Sequence, residues 1–544
     1  MNQVIPLPPG LGQPRGGGPQ HGAYDVVIIG SGLGALSTAS LLAKLQGMRV
    51  LVVERHSVIG GFTHTFQRKG GYRWDVGLHY VGGMNPGSVE RRIANFVTDG
   101  ALDWIRMSEP FDKLVYPDFT FDVYGDGARF EQELIARFPD EAEAIRRYLQ
   151  DVVPAMRWIV FNAVGSSGSR WARAAVRLAT RAWQGLAQQT TAEYLERAFR
   201  CPELKAVLSS RWGLQGLPPS QSSFGFHAML MRHYLTGGFY PAGGSARIAE
   251  TIVPIVEQRG GAFVSRQEVT RILLSRGRAV GVEARDRRGR IHRYEAGQVV
   301  SNAGAYNTYA KLLPPRVGAA HARRLGKLAE QTLSAVTVYL GLDGDPRELG
   351  FRGENVWISE RYDHETGTET EQLLAGRPER CFLSFPSLRD DKPRPHTAEI
   401  LAFARHEDFA AWHDTRWRRR GADYDALKQR LADGLIDLVE RRYPGFKGLI
   451  DRVEVSTPLS VEHFTASPFG AIYGLPGTPA RFRETLVGTR TPIGNLYLTG
   501  ADGFVFGILG ALLSGVATAG AVTGRLGFLR VLAAILRAEP KQAA

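Results

Sequence analysis

The chain has 544 residues, enough for two to four structural units at roughly 100–200 residues per domain. Hydrophobic residues make up 44% and charged residues 22%, as is ordinary for a soluble globular protein with a large core. Its two cysteines, Cys201 and Cys381, are too few for a secreted disulfide scaffold or a cysteine metal cluster, and they favour a reducing compartment. The net charge of +13 favours an anionic partner, either nucleic acid or an acidic membrane surface.

The chain begins with a Gly- and Pro-rich segment, residues 1–22, that lacks the apolar run of a secretory signal. We interpret it as a disordered arm. The β-branched run Tyr24–Gly30 then predicts a buried parallel strand, followed by a glycine turn and a helix to about Gln46. A second buried strand over Arg49–Glu54 completes a βαβ unit.

The glycine turn has the spacing of a dinucleotide-binding loop. Gly30 and Gly32 allow a sharp bend and a close approach of backbone to a pyrophosphate, and the following helix offers free N–H groups to the phosphates. Ala35 occupies the third motif position, which needs only close helix–strand packing. Glu54, 24 residues after Gly30, is placed to accept hydrogen bonds from ribose hydroxyls and disfavours a 2′-phosphate.

The rest of the chain alternates between helical and strand-like patterns. Residues 90–235 are mostly helical, and residues 332–405 contain strand-like runs. Between them, strands over Val280–Ala284 and Gly297–Asn302 flank a basic turn that we interpret as a solvated hairpin tip. Near the end, the uncharged stretch Gly503–Gly524 has the length of a membrane span, but its many glycines favour a buried helix.

Two further blocks connect this loop to a known superfamily. A Gly60-Gly61 turn follows Glu54, and a late block reads NLYLTGADG from Asn495 to Gly503. Together with the first loop, they resemble the flavin-dependent amine oxidase and phytoene desaturase superfamily. The resemblance implies bound FAD, with Asp502 at the ribityl chain and the backbone around Val269 at the adenine. The implied cofactor-binding residues are Gly30, Gly32, Leu33, Gly34, Ala35, Glu54, Arg55, Gly60, Gly61, Phe62, Thr63, Val269, Gly500, Asp502, Leu509 and Gly510.

The expected fold is α/β, with a two-dinucleotide-binding, Rossmann-like FAD domain and a discontinuous α+β substrate domain. The FAD domain is expected from residues 23–90, 240–310 and 485–525. The substrate domain is expected from residues 91–239 and 311–484, followed by a basic amphipathic tail over 526–544. No second dinucleotide motif is present, so we expect an electron donor or acceptor that docks transiently.

Within the superfamily, the closer match is to retinol saturases and carotenoid isomerases. It is carried by the segments 71–82 (GYRWDVGLHYVG), 233–245 and 299–304. The resemblance implies an FAD-dependent oxidoreductase acting on a C=C bond of a polyene or isoprenoid lipid, with saturation as first choice. Carotenoid desaturation, redox-neutral cis–trans isomerisation, amine oxidation and a non-catalytic flavin-binding lipid carrier stay open.

Saturating an alkene needs a proton donor, for which a positioned His or Tyr is suited. His79 and Tyr80 are the first candidates, followed by His227, His233 and Tyr240. Each of these residues could instead satisfy a hydrogen bond in the core, and water could supply the proton.

Two cationic amphipathic stretches favour contact with an anionic membrane. In a helix over 170–186, four arginines are expected on one face and Trp171, Ala175, Leu178, Ala182 and Leu186 on the other. The tail Leu526–Arg537 has a similar pattern. Packing on the core or on a dimer partner is the alternative. The basic residues are dispersed, which excludes a nucleic-acid module, so we expect a cytoplasmic, peripherally membrane-associated protein.

Overall fold

The computed structural model describes residues 24–168, 170–365, 369–390, 395–524 and 526–538. The predicted disordered arm and the last residues of the predicted tail lie outside these ranges. The architecture is mixed α/β, as the sequence predicts, with buried sheets flanked by helices.

The strands run in chain order as follows: β1 (Val26–Ile29), β2 (Val50–Val53), β3 (Thr65–Gln67), β4 (Arg73–Asp75), β5 (Trp104–Arg106), β6 (Asp112–Val115), β7 (Thr120–Val123), β8 (Phe239–Pro241), β9 (Ala262–Val264), β10 (Gln267–Ser275), β11 (Arg278–Asp286), β12 (Ile291–Glu295), β13 (Gln298–Ser301), β14 (Ser334–Leu342), β15 (Asn355–Ser359), β16 (Arg380–Ser384), β17 (His396–Ala404), β18 (Ile450–Ser456) and β19 (Leu496–Leu498).

The helices are α1 (Leu33–Gln46), α2 (Val89–Val97), α3 (Gly127–Arg137), α4 (Ala142–Ser167), α5 (Arg170–Ala179), α6 (Arg181–Gln188), α7 (Thr191–Ala198), α8 (Pro202–Ser209), α9 (Phe224–Tyr234), α10 (Arg247–Glu257), α11 (Ala305–Asn307), α12 (Pro315–Ala329), α13 (Glu369–Leu374), α14 (Ala422–Arg442), α15 (Pro458–Thr465), α16 (Ile508–Val522) and α17 (Gly527–Arg537).

One sheet has five parallel strands in the order β19-β13-β1-β2-β9. Its two central strands, VVII and VLVV, are buried along their whole length, which is why they read as continuous apolar runs rather than alternating ones. The strands come from all three segments predicted for the FAD domain. The exact domain limits stay a prediction.

The basic turn does form a hairpin tip, but with a different second strand from the predicted one. β11 pairs antiparallel with β12 around residues 287–290, whereas residues 298–301 leave the hairpin as β13 and join the parallel sheet. The sequence prediction overlooked this strand because β12 has only five residues and most of them are exposed.

A second sheet has seven strands in the order β18-β14-β17-β16-β15-β6-β7. Its long strands β14 and β17 pair antiparallel over nine residues each, and α14 packs its apolar stripe on the same core. The region from residue 90 to 235 is less uniformly helical than predicted, since β5, β6 and β7 lie between α2 and α3.

The predicted single helix over 170–186 is two helices, because the chain breaks at Thr180 between α5 and α6. Within α5, Arg173 donates to the carbonyl of Ser166, while Trp171 and Leu178, on the predicted apolar face, are 73% and 75% exposed. The membrane-facing role of this segment stays a prediction.

Residues 508–522 form the buried helix α16, which packs closely against α1. This matches the preference for a buried helix over a membrane span. Within the described residues, no helix combines the length and apolar character needed to cross a bilayer.

Candidate active site

One large cavity of about 2080 Å³ runs between the two sheets. One end lies over the carboxyl ends of the parallel strands, where α/β sheets bind their ligands, and is lined by the glycine turn before α1. The other end is lined by aromatic and aliphatic side chains of the seven-stranded sheet: Tyr339, Trp357, Phe382, Leu401 and Phe403. The cavity therefore joins a nucleotide-binding end to an apolar chamber.

The glycine turn is built for close backbone contact. Gly30 has φ +84°, a conformation that other residues rarely adopt. A Cβ added at Gly32 would lie 2.6 Å from Nδ2 of Asn302, and one at Gly34 would lie 2.4 Å from the backbone N of Gly500. Larger residues would push α1 away from the strand that ends at residue 498, and so would deform this end of the cavity.

Glu54 fixes the same turn. Its Oε2 accepts hydrogen bonds from the backbone N and Oγ of Ser31, at 2.8 and 2.7 Å, and its Oε1 accepts one from the backbone N of His56. The side chain is buried and does not line the cavity, although Arg55 does. Binding of a ribose by Glu54 therefore stays a prediction, and its visible role is to hold the turn.

Asp502 reaches the cavity from the opposite side. It accepts hydrogen bonds from the backbone N atoms of Ala305 and Leu475, and its Oδ1 lies 3.1 Å from Nη1 of Arg481. Burial lowers the pKa of Arg481, whereas the Asp502 charge raises it. This buried pair ties together the three chain segments that meet at the cavity.

The other predicted cofactor residues divide into two groups. The cavity is lined directly by Gly32, Leu33, Gly34, Arg55, Gly60, Gly61, Phe62, Thr63, Gly500 and Asp502. Five of the predicted residues do not line the cavity: Gly30, Ala35, Val269, Leu509 and Gly510. Near Val269 the lining residues are Ser265 and Arg266, and near Leu509 and Gly510 they are Gly507, Ile508 and Ala511.

Gly507 marks the start of α16, just before the predicted cofactor residues Leu509 and Gly510. It caps the N-terminus of α16 with φ +84°, and a Cβ there would meet no atom within 4 Å. The helix N-terminus thus opens onto free space inside the cavity, where it attracts an anion or an electron-rich ring edge. The rule that a glycine precedes such a helix could have located it.

His79 is the one catalytic candidate that lines the cavity. Its Nδ1 lies 2.8 Å from Oε2 of Glu399, and its ring meets the edge of Phe382 with the centroids 5.0 Å apart. The side chain is 12% exposed, so one edge of the imidazole faces the apolar chamber.

The remaining candidates lie behind the wall, each in a structural hydrogen bond. Tyr80 donates to Asp112, Tyr240 donates to Asp75, and His233 accepts from the backbone N of Gly82. His227 lies between Tyr148 and Gln215. Burial lowers the pKa of His233 to about 4 and that of His227 to about 3, so both are neutral at pH 7. None of these side chains lines the cavity.

These residues fit FAD. The glycine turn and the open helix N-terminus supply backbone N–H groups for a pyrophosphate and a flavin edge, and the adjoining chamber accommodates an apolar substrate next to the flavin. The chain belongs to the flavin-containing amine oxidoreductase family, whose model matches residues 36–523. The protein is an FAD-dependent oxidoreductase.

Its sequence relatives lie on the branch that the sequence indicated. The chain is 33% identical to the all-trans-retinol 13,14-reductase of Danio rerio over 92% of its own length and 85% of the relative's. It is 32% identical to the human enzyme of the same name, over 95% and 89%. Similarity to prolycopene isomerase 2 of an Oncidium hybrid is lower, 26% over 96% and 88%.

Solved structures share the fold. An oxidoreductase from Methanosarcina mazei aligns with a TM-score of 0.56 at 19% identity, covering 94% of this chain and all of its own. A putrescine oxidase aligns with a TM-score of 0.59 at 16% identity, covering 92% and 99%.

Proposed function

We propose that the protein is an FAD-dependent reductase that saturates a C=C bond of a retinoid-like polyene. The observation that carries the proposal is the imidazole of His79, which lines the cavity against Phe382 and beside the aromatic side chains of the chamber that is continuous with the FAD end. The sequence similarity to retinol 13,14-reductases, higher than to prolycopene isomerases, supports reduction over isomerisation.

Adding two hydrogen atoms across a double bond takes two electrons and two protons. Reduced FAD supplies the two electrons and one of the protons, and it is re-reduced by an electron donor that docks transiently. His79 donates the second proton to the neighbouring carbon, because it is the histidine that lines the cavity beside the aromatic side chains of the chamber.

The chamber walls suit a long conjugated chain. Trp357 packs against Phe382 with ring centroids 4.6 Å apart, and Phe403 packs against Trp212 at 4.9 Å. Aromatic faces bury a flat polyene over a large area without needing polar partners. They also exclude water, so that proton delivery at the reacting carbons falls to His79 rather than to solvent.

The test is a substrate panel under anaerobic conditions. The flavin is reduced with dithionite, and retinoids, carotenoids, unsaturated fatty acids and primary amines are added in turn. We expect a retinoid to gain the mass of two hydrogen atoms. Amine oxidation by the oxidised enzyme, or a carotenoid isomer of unchanged mass as the sole product, would contradict the proposal.

We further propose that the substrate reaches the protein from an anionic membrane surface. Several large apolar side chains stand exposed around the ends of α4 and α16: Phe161, Trp171, Leu178, Leu526 and Leu529. We call this set the apolar patch. Arg490 connects its two halves, since its guanidinium donates to the carbonyls of both Ser167 and Ala521.

Charge complementarity selects the partner of the apolar patch. Arg177 and Arg181 are exposed beside Trp171 and Leu178, and the chain as a whole carries +13. Exposed apolar side chains interleaved with arginines are the pattern of an interfacial membrane contact. An anionic membrane would contact both the apolar side chains and the arginines, and its lipid phase would also hold a retinoid-like substrate.

A further inference from the structure

A buried carboxylate stands directly behind His79. Glu399 lies in the middle of β17 with no exposed surface, and its Oε2 is 2.8 Å from Nδ1 of His79. Neither of these two atoms has a further hydrogen-bond partner among the described residues. The other carboxylate oxygen, Oε1, accepts a hydrogen bond from the backbone N of Asp75 at 3.1 Å.

The neighbouring charged groups are already engaged elsewhere. The carboxylate of Asp75 accepts hydrogen bonds from Tyr240 and from the backbone N and Oγ of Ser245. The guanidinium of Arg389 donates to backbone carbonyls, including that of His79, and to the side chain of Asn355. Of these groups, Glu399 alone meets the His79 ring.

The opposite edge of the ring faces the cavity. Because Nδ1 is enclosed at the carboxylate and the side chain lines the cavity, Nε2 is directed to the apolar chamber. A histidine held through one nitrogen presents a defined tautomer at the other.

We infer that Glu399 is a positioning residue that orients His79 and keeps a proton on its imidazole for delivery to the substrate. The inference rests on the proposed function. In the step, the proton passes from Nε2 to one carbon of the double bond, the other carbon receives a hydrogen with the electron pair from reduced FAD, and solvent later reprotonates the imidazole.

The electrostatics agree with this geometry. Burial raises the pKa of Glu399, and the contact with His79 opposes that shift. The other titratable groups near the pair are Asp75 on β4 and Arg389 after β16, which act on Glu399 with opposite signs, and Tyr339 on β14. Burial raises the pKa of Tyr339, so it stays neutral.

The decisive variant is Glu399→Gln, which keeps the shape and removes the charge. An opposite charge beside an imidazole favours its protonated form, and the neutral amide removes that contribution. We therefore expect the alkaline limb of the kcat profile to move toward acid pH. At neutral pH, kcat falls about tenfold or more, while KM and FAD content stay unchanged.

Glu354→Gln is the matched control, because Glu354 is also buried and paired, with Nζ of Lys113 at 2.9 Å, but lies away from the cavity. It should leave the pH profile of kcat unmoved. A Glu399→Gln enzyme with an equal loss of kcat at every pH would overturn the inference, since that is what a merely structural role produces.

A second measurement keeps the inference testable even if that variant does not fold. Imidazole nitrogen spectra of the wild-type holoenzyme, assigned by comparison with His79→Gln, should show a proton on Nδ1 throughout the active pH range. A neutral ring protonated at Nε2 would overturn the inference. These spectra need no substrate, so failure of the inference is distinguishable from failure of the proposed reaction.

Discussion

At the scale of single residues, the histidines predicted as proton donors separate into two chemical kinds. His79 has one edge in the chamber and a carboxylate behind it, whereas His227 and His233 are enclosed and have lowered pKa values. The sequence identified the segments rich in His and Tyr as candidates. Which of its side chains reach the cavity could not be predicted, because neighbours such as His79 and Tyr80 point to opposite sides of the wall.

The first prediction concerns His233 and acid stability. Its Nε2 accepts a hydrogen bond from the backbone N of Gly82 at 2.8 Å, and its pKa is lowered to about 4 from an ordinary value of about 6.5. Below a pH of about 6.5, His233 binds a proton in the unfolded chain but not in the folded protein. The free energy of unfolding therefore decreases from that pH toward 4, by up to about 1.4 kcal/mol per pH unit.

The measurement is denaturant unfolding as a function of pH for the wild type and His233→Gln. Glutamine keeps an acceptor for Gly82 but does not titrate, so we expect a shallower loss of stability in acid. Identical slopes in the two proteins would contradict the lowered pKa.

The second prediction concerns Glu54. Glu54→Ala removes the acceptor that holds Ser31 and the predicted acceptor of the ribose hydroxyls. At about 1.5–3 kcal/mol per hydrogen bond to a charged group, FAD should bind about 10- to 100-fold more weakly. Flavin content of the purified protein and FAD titration of the apoprotein measure this. Glu295→Ala, an exposed change on β12, is the control. Undiminished affinity in Glu54→Ala would refute the role.

At the scale of elements, the parallel sheet was predictable because its strands are buried on both faces and bounded by glycines. The short strand β12 was not predictable, since it is mostly exposed and carries little periodicity. The sequence did not predict the break at Thr180. It also did not predict which face of α5 packs: Arg173 contacts the end of α4, so the packed face is not the most apolar one.

The third prediction concerns the contact between α1 and Gly500, which lies just after β19. A Cβ at Gly34 would lie 2.4 Å from the backbone N of Gly500, so Gly34→Ala should cost about 1–3 kcal/mol of stability and lower flavin content. Gly185→Ala is the matched control. Gly185 lies in α6 with no atom within 4 Å of an added Cβ, and alanine should stabilise that helix by up to about 1 kcal/mol.

The measurements are thermal unfolding, which reports the stability of the two variants, and flavin absorbance, which reports their flavin content. If Gly34→Ala retains full flavin and wild-type stability, the close approach of α1 does not shape the cofactor end of the cavity.

At the scale of the whole molecule, the residues that form the site come from distant parts of the chain. Sequence motifs identify the segments near 30, 60 and 500 because each contains a glycine-rich turn with a physical reason for its glycines. Glu399 has no such signal, being one acidic residue in a strand, and its contact with His79 depends on the packing of β17 against β4, where Glu399 accepts a hydrogen bond from the backbone N of Asp75. Only the assembled sheet reveals it.

The fourth prediction concerns the apolar patch. The double variant Trp171→Asp and Leu178→Asp should abolish co-sedimentation with vesicles of phosphatidylcholine and phosphatidylglycerol, while kcat for substrate in detergent stays unchanged. Ile291→Asp, which alters an exposed apolar residue of β12, is the control. Binding that persists in the double variant, or that is insensitive to Arg177→Glu and Arg181→Glu, would contradict the membrane proposal.

The central claim is that the protein reduces a C=C bond with electrons from its own flavin. The most direct measurement is an anaerobic single turnover, in which one equivalent of all-trans-retinol is mixed with enzyme whose flavin is fully reduced. The account predicts that one flavin is reoxidised for each retinoid that gains two hydrogen atoms, and that His79→Gln slows both events equally. A flavin that stays reduced while the retinoid is unchanged, or changes only in geometry, would contradict it.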